Sequence, residues 1–315
     1  MIIVGFARRL LQIIPVLVAI SIVTFMLTRL SGDPSALLLP LDAPPEQREQ
    51  LREDLGLDEP LPVQYLRFMQ GALQGDFGDS FRYQVPASEI VLERAPATLT
   101  LAAAALFIAL LIGLPFGIIA ALRHGGMADS AVQLTSVVGQ ALPPFYVGLL
   151  ALIFVAPAVE WLPSGGYEPG SLRHLVLPAL TLSLFMIAVI ARFTRASVLD
   201  VLSQNYVRTA RSKGISERRV VTRHILRNAL IPVVTIVGLQ IGNLLGGAVI
   251  IETVFGWPGM GRLAVESVLQ RDFPVVQVVV MLTAVVFVVV NQLVDFVYVW
   301  LDPRIDLYRA GTAAR

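Results

Sequence analysis

Lys213 is the only lysine among 24 basic residues, and its surroundings remove one chemistry at once. A phosphate-cradling loop needs G-x-x-x-x-G-K-[ST], whereas Lys213 follows Ser212. With no cysteine in the chain, disulfides, thiolate metal sites and thiol nucleophiles are all excluded. His124, His174 and His224 stand 50 residues apart and form no H-E-x-x-H pair, so metal catalysis has little to build on. There is no G-x-S-x-G, and no two carboxylates inside apolar stretches are placed to face each other. The groups left with something to do are cations and amides. Nine Arg/Lys lie between Arg192 and Arg227 against only Asp200 and Glu217, the amides of Gln240 and Asn243 interrupt an apolar run, and Glu252 to Arg262 concentrates aromatic, glycine and proline residues.

The elements that must position these groups are membrane helices. Of 315 residues, 56% are apolar and 15% charged, and the mean hydropathy is +0.73. A soluble domain carries about 25% charged residues, so this chain reads as an all-α integral membrane protein. A spanning helix needs about 20 mostly apolar residues. Six stretches qualify: Leu10 to Thr28, Ala97 to Leu122, Ala131 to Val159, Leu175 to Ala191, Ala229 to Ile251 and Pro274 to Leu301. The first is too long for a signal peptide and is followed by no small-x-small cleavage site, so it reads as a retained anchor.

Basic residues set the orientation. With Arg8 and Arg9 inside, six crossings put Arg123, the loop 192–228 and the tail with Arg304, Arg309 and Arg315 inside. They put residues 31–96, with 12 Asp/Glu against 5 Arg, outside. Both termini are therefore expected in the cytoplasm. The organisation is an N-terminal helix (1–30), an extracytoplasmic helical segment (31–96), a five-helix core (97–301) and a cytoplasmic tail (302–315). In the outer segment, Pro45, Leu51, Leu55 and Gly56 outline a short helix. A second is expected from Val63 to Leu73, with Tyr65, Leu66, Met69 and Leu73 on one face, lying on the outer membrane face or capping the bundle.

Between the fourth and fifth spans, Asn205 to Arg219 reads as two short helices meeting at an angle. Gly214 stops the first, and the Ser216 side chain can cap the second. Val207, Ala210 and Ile215 form an apolar knob ringed by Arg208, Arg211, Lys213, Arg218 and Arg219, a projection suited to a groove on a soluble partner. The same arginines also suit a loop held at the anionic inner leaflet.

Ala210-x-x-x-Gly214 with its basic flanks resembles the EAA loop of ATP-binding-cassette importer permeases. Arg208 stands where that pattern commonly has Glu, and Pro232 lies further from Gly214 than the usual Leu-Pro. Tyr206-Val207-Arg208-Thr209-Ala210-Arg211-x-Lys213-Gly214, followed by Leu226-Arg227-Asn228-Ala229-Leu230-Ile231-Pro232, is similar to the variant in peptide-importer permeases. Gly75-Asp76-Phe77-Gly78-Asp79-Ser80, Arg94-Ala95-Pro96-Ala97-Thr98-Leu99, Glu252 to Leu263 and Leu301-Asp302-Pro303-Arg304 resemble further motifs of that family, in the same order. The resemblance covers nearly the whole chain and is to the first of the two paired permeases of dipeptide, oligopeptide, nickel and glutathione importers.

That resemblance implies a six-helix bundle of the type I importer kind. It also implies a second permease, two ATPase subunits, an extracytoplasmic substrate-binding protein and surrounding lipid as partners, with no nucleic acid. ATP and Mg would sit on the ATPases, with no cofactor or metal bound by this chain and no catalysis of its own. Tyr206, Val207, Arg208, Ala210, Arg211, Lys213, Gly214, Ile215 and Arg218 would take the coupling role. Gln240 and Asn243 share a helix face that could touch a peptide backbone or make interhelical hydrogen bonds. Glu252, Phe255, Trp257 and Arg262 could form an outer gate or seat the binding protein. Gly238, Gly242, Gly246 and Gly247 invite close helix packing. Asp295 is read as paired with an arginine or snorkelling, and Pro143-Pro144 and Pro178 as helix interruptions. Short peptides are the expected cargo, with nickel or glutathione as alternatives. A stand-alone secondary transporter would show inverted repeats, and none is evident.

Overall fold

The computed structural model describes the backbone of residues 2–30, 44–54 and 56–301 and, within these, all side chains except those of 2–13, 30, 54, 295 and 298–301. The expectations for the side chains of Arg8, Arg9, Leu55 and Asp295, and for the tail 302–315 with its Asp302-Pro303-Arg304, lie outside the described residues. The chain divides into two compact units, residues 1–96 with 259–288 and residues 97–258 with 289–315.

The first unit holds α1 (Ile2–Leu30), α2 (Pro45–Asp54), α3 (Leu61–Gln74), the start of α4 (Ala87–Leu122), α10 (Met260–Leu269) and the start of α11 (Phe273–Leu301). α3 stops where Gly75 turns to φ +80°, with Gly75 N–H donating to Ala72 O and Asp76 N–H to Gly71 O at 3.1 and 2.9 Å. That hydrogen-bond pair closes a Schellman turn. Gly71 is required by it, because a Cβ there would lie 2.7 Å from Asp76 O. The following Gly75-Asp76-Phe77-Gly78-Asp79-Ser80 turn is anchored by Asp272. Ser80 Oγ donates to Asp272 Oδ2 at 2.5 Å and Phe81 N–H to Oδ1 at 3.1 Å, with Ser80 and Asp272 both buried. Val91, Met260, Leu263, Val275 and Val279 form the apolar core beside this turn.

The second unit holds the rest of α4, α5 (Met127–Ala141), α6 (Pro144–Ala158), α7 (Leu172–Leu202), α8 (Asn205–Ser212), α9 (Glu217–Phe255) and the end of α11. Helices occupy all six apolar stretches, though the count of six spans is not exact. Four helices among the described residues are long and apolar enough to cross alone. α5 and α6 form a fifth only as a pair bent by 101°, and the apolar part of α1 runs over Ile14–Arg29. The bend falls at Pro143-Pro144, where proline withholds an N–H from the helix ladder. Pro178, by contrast, sits buried inside a continuous α7. α9 packs along α7 around Leu182, Met186, Leu244, Ala248 and Ile251.

The second unit would not pack this way without two unforeseen glycines. A Cβ on Gly117 would lie 2.5 Å from Ala191 O and 2.6 Å from Thr194 Cβ, and one on Gly113 3.0 Å from Ile190. This Gly113-x-x-x-Gly117 stripe brings the backbones of α4 and α7 together, as small residues do in bilayers.

Candidate functional site

The elbow between α7 and α9 is built on another Schellman turn. Gly214 takes φ +72° and donates N–H to Arg211 O at 3.0 Å, while Ile215 N–H reaches Ala210 O at 3.4 Å. Only glycine enters that backbone region without a Cβ penalty, which explains Ala210-x-x-x-Gly214-Ile215 as local geometry. The expected Ser216 side-chain cap does not form. Ser216 contributes its carbonyl instead, accepting from Arg219 N–H at 2.8 Å and Val220 N–H at 3.0 Å.

Val207 and Ala210 are corrected from a partner-facing knob to core residues. With Ala121, Val198, Val220, Ile225 and Ala229 they form a buried cluster, and Ile215 is half-buried against it. The hydrophobic effect thus pins the elbow to the ends of α4, α7 and α9. A π turn over Val220–Ile225 puts two residues five apart into that cluster; such turns are rare and recur at functional joints. Ser197 Oγ adds a hydrogen bond to Ala229 O at 2.7 Å, and Asn228 Nδ2 donates to the Tyr206 hydroxyl at 3.0 Å.

The outward face is cationic. Arg211 makes a two-point pair with Glu217 through Nε at 3.1 Å and Nη2 at 2.6 Å. Through this hydrogen bonding the glutamate raises the pKa of Arg211 and the arginine lowers that of Glu217, ahead of the apolar run beginning at Ala229. Tyr206, Arg208, Lys213 and Arg218 are exposed, and the last three make no ion pair among the described residues. Such a surface suits a partner with acidic or carbonyl groups.

A second polar cluster beside the elbow was not visible in the sequence. Asp129, buried at the start of α5, receives Arg195 Nε and Nη2 (the latter at 3.0 Å), Gly125 N–H at 2.9 Å and Gln133 Nε2 at 3.1 Å, and His124 Nδ1 lies 2.8 Å away. Arg195 thereby ties the α4–α5 turn to α7. Because the partners are 66 residues apart, no local spacing could reveal them.

Gln240 and Asn243 meet, but along a single helix. Asn243 Nδ2 donates to Gln240 Oε1 at 2.9 Å, while Gln240, only 9% exposed, keeps its Nε2 without a partner among the described residues. Asn243 is exposed, on a stripe with Thr235, Leu239, Gly246 and Ile250. Of the glycines foreseen as a packing stripe, Gly238 admits Val294 and Gly247 admits Leu182, whereas nothing lies within 4 Å of a Cβ at Gly246.

Glu252, Phe255 and Trp257 are buried and offer no surface to a binding protein. Thr98 Oγ1 donates to Glu252 Oε1 at 2.6 Å, Trp257 Nε1 to Ala97 O at 2.9 Å, and Tyr167 stacks edge-on against Trp257 at 4.7 Å. Two motifs more than 150 residues apart therefore lock together at the end of α9. Arg262, in the other unit, is partly exposed and pairs with Glu266 at 2.8 Å.

Comparisons with known proteins agree on one family. Residues 113–307 match the family described as binding-protein-dependent transport system inner membrane component, and residues 2–102 match its N-terminal counterpart. The chain is 41% identical to the oligopeptide transport system permease protein AppB of Bacillus subtilis (strain 168), over 95% of this chain and 98% of that protein. It is 43% identical to the glutathione transport system permease protein GsiC of Salmonella paratyphi A (strain ATCC 9150 / SARB42), over 95% and 97%. In fold it resembles the inward-facing MetNI methionine ABC transporter, with a TM-score of 0.54 and 16% identity over 67% of this chain and 96% of that one. It also resembles an amino acid ABC transporter crystallised with histidines, at a TM-score of 0.52 and 18% identity over 67% and 94%.

Proposed function

Because this chain belongs to the binding-protein-dependent transport system inner membrane component family, as a multi-pass permease subunit of an ABC importer, we propose that it carries short peptides, shares its path with a second, similar permease and is driven through the Asn205–Arg219 elbow. Both termini lie in the cytoplasm, and solute arrives from an extracytoplasmic binding protein. Two ATPase subunits hold ATP and Mg and supply the work; this chain holds neither.

The observation that carries this reading is the construction of the elbow. Val207 and Ala210 are buried among the ends of α4, α7 and α9, while Arg208, Lys213 and Arg218 face outward and make no ion pair among the described residues. A push on the cationic face cannot bend a loop that is hydrophobically anchored on three helices, so it displaces those helices as a block. Alternating access then requires that ATP and the loaded binding protein each favour one packing of the bundle. Asn243, with Gln240 behind it, supplies amide donors and acceptors of the kind that pair with a peptide backbone.

Ser212→Cys in this cysteine-free chain tests the assignment, since Ser212 is exposed beside Lys213. In the assembled transporter the thiol should be labelled only from the cytoplasmic side and should cross-link to an ATPase subunit. Labelling only from the exterior, or solute uptake by the isolated chain, would overturn it. The 43% identity to a glutathione permease favours one second reading, glutathione being itself a tripeptide. Competition between dipeptides, longer peptides and glutathione for uptake separates the two.

A further inference from the structure

We propose that α3 (Leu61–Gln74) lies within the membrane plane, with one flank in the lipid leaflet at the C-terminal end of α1. The orientation proposed above makes that leaflet the outer one. The inference concerns a lipid-contacting surface and does not depend on which solute is carried.

Depth is the first argument. α1 carries no charge from Leu10 to Thr28, and Arg29 is the first charged residue after that run. α3 meets α1 at residues that precede Arg29. The Tyr65 and Ser21 hydroxyls share a hydrogen bond at 2.8 Å, and the Phe25 ring lies 5.6 Å from Tyr65 and 5.8 Å from Phe68. Phe25 and Ser21 precede Arg29 by four and eight residues, or about 6 and 12 Å at the helical rise. An interfacial helix buries its apolar face roughly 5–10 Å into the headgroup and acyl boundary. The contact therefore places α3 at the depth of that boundary.

The second argument is the division of its surface. Gln64, Tyr65 and Phe68 face the protein, with Gln64 Nε2 donating to Leu57 O at 2.9 Å and Glu59 O at 2.6 Å. Pro62, Leu66, Met69 and Leu73, spaced i, i+4, i+7, i+11, run along one flank, where Leu66 is 67% and Leu73 83% exposed. Arg67, Gln70 and Gln74 run along the other flank with Val63, all exposed, and Arg67 pairs with Glu59 at 2.8 Å. The expected single face of Tyr65, Leu66, Met69 and Leu73 is thus two faces. A helix packed on a protein in water needs one apolar stripe; this one has two adjacent ones and a polar third. Protein on one side, acyl chains below and water above account for all three.

Continuity is the third. At the same level α1 exposes Ile22, Val23 and Met26, an apolar surface fit for lipid on the helix that α3 packs against.

The test uses single cysteines in place of Leu66, Leu73, Arg67 and Gln70, spin-labelled in the assembled transporter in vesicles of phosphatidylethanolamine and phosphatidylglycerol. Relaxation is read against oxygen, which partitions into lipid, and a water-soluble nickel chelate. The four side chains are exposed on their flanks, and Arg67→Cys gives up the exposed ion pair with Glu59. The expected result is a reversal of the oxygen-to-nickel ratio between flanks, with Leu66→Cys and Leu73→Cys dominated by oxygen and Arg67→Cys and Gln70→Cys by nickel. Nickel access at all four positions would make α3 a cap in water. Shielding of positions 66 and 73 from both agents would mean that another polypeptide covers them. Either outcome overturns the proposal.

Discussion

Gly117→Ala and Gly246→Ala add the same methyl group and should move stability in opposite directions. Glycine inside a helix costs about 0.5–1 kcal/mol relative to alanine, so each substitution starts with that gain. At Gly246 nothing lies within 4 Å of the new Cβ, and the gain should be realised nearly in full. At Gly117 the new Cβ would sit 2.5 Å from Ala191 O, and α4 and α7 must part by about 0.5 Å before the contact reaches even 3.0 Å. The obstructing atoms include the backbone of Ala191 and Arg195, which no rotamer change can clear. Overpacking of this kind costs about 1–3 kcal/mol, so the clash outweighs the propensity gain by roughly 1 kcal/mol, and Gly117→Val should be worse. Thermal midpoints of the detergent-solubilised chain, read by size-exclusion of the folded fraction, give both signs. A Gly117→Ala variant as stable as the parent would refute the close α4–α7 approach. If Gly246→Ala is the more stable yet lowers uptake, another polypeptide or the solute needs that space.

Gly214→Val should strain the elbow by about 1–2 kcal/mol, because a β-branched residue is forced to positive φ. Gly214→Asn should be tolerated, and the expected phenotype of the valine variant is ATP hydrolysis without proportionate uptake in the reconstituted transporter; parental coupling would contradict the lever. Arg195→Gln leaves the buried Asp129 carboxylate without its cation and should lower the thermal midpoint more than Asp129→Asn does, with the reverse order arguing against the clasp. Trp257→Phe removes the hydrogen bond to Ala97 O and also leaves a cavity where the second ring of the buried indole packed, so the loss of stability should exceed the roughly 1 kcal/mol of one hydrogen bond; an unchanged thermal midpoint would contradict the lock.

Much of the elbow was legible because its logic is local. Ala210, Gly214 and Ile215 are the positions a Schellman turn needs, and such a turn closes within six residues. The direction in which Val207 and Ala210 point was not legible. An apolar pair on a short basic helix looks the same whether it awaits a partner or fills its own core, and only the ends of α4, α7 and α9 decide between these. Glu252 and Trp257 show the same limit. As isolated residues they suggest a surface gate, yet Thr98 and the Ala97 carbonyl, distant in sequence, take them inside.

Apolar length, charge segregation and turn chemistry belong to the sequence alone. They make this a multi-pass helical membrane protein with a basic elbow before its fifth apolar stretch, because transfer of backbone and charge between water and lipid depends on composition within one segment. Tertiary structure alone decided that the interruption at Pro143-Pro144 is a bend of 101° while that at Pro178 is none, that Asp129 meets Arg195, and that Gly117 rather than Gly246 carries a close contact. Those outcomes depend on which surfaces of separate helices come within a few ångströms. A linear pattern of residues holds the periodicity of each helix but not the rotation and height at which it meets its neighbour.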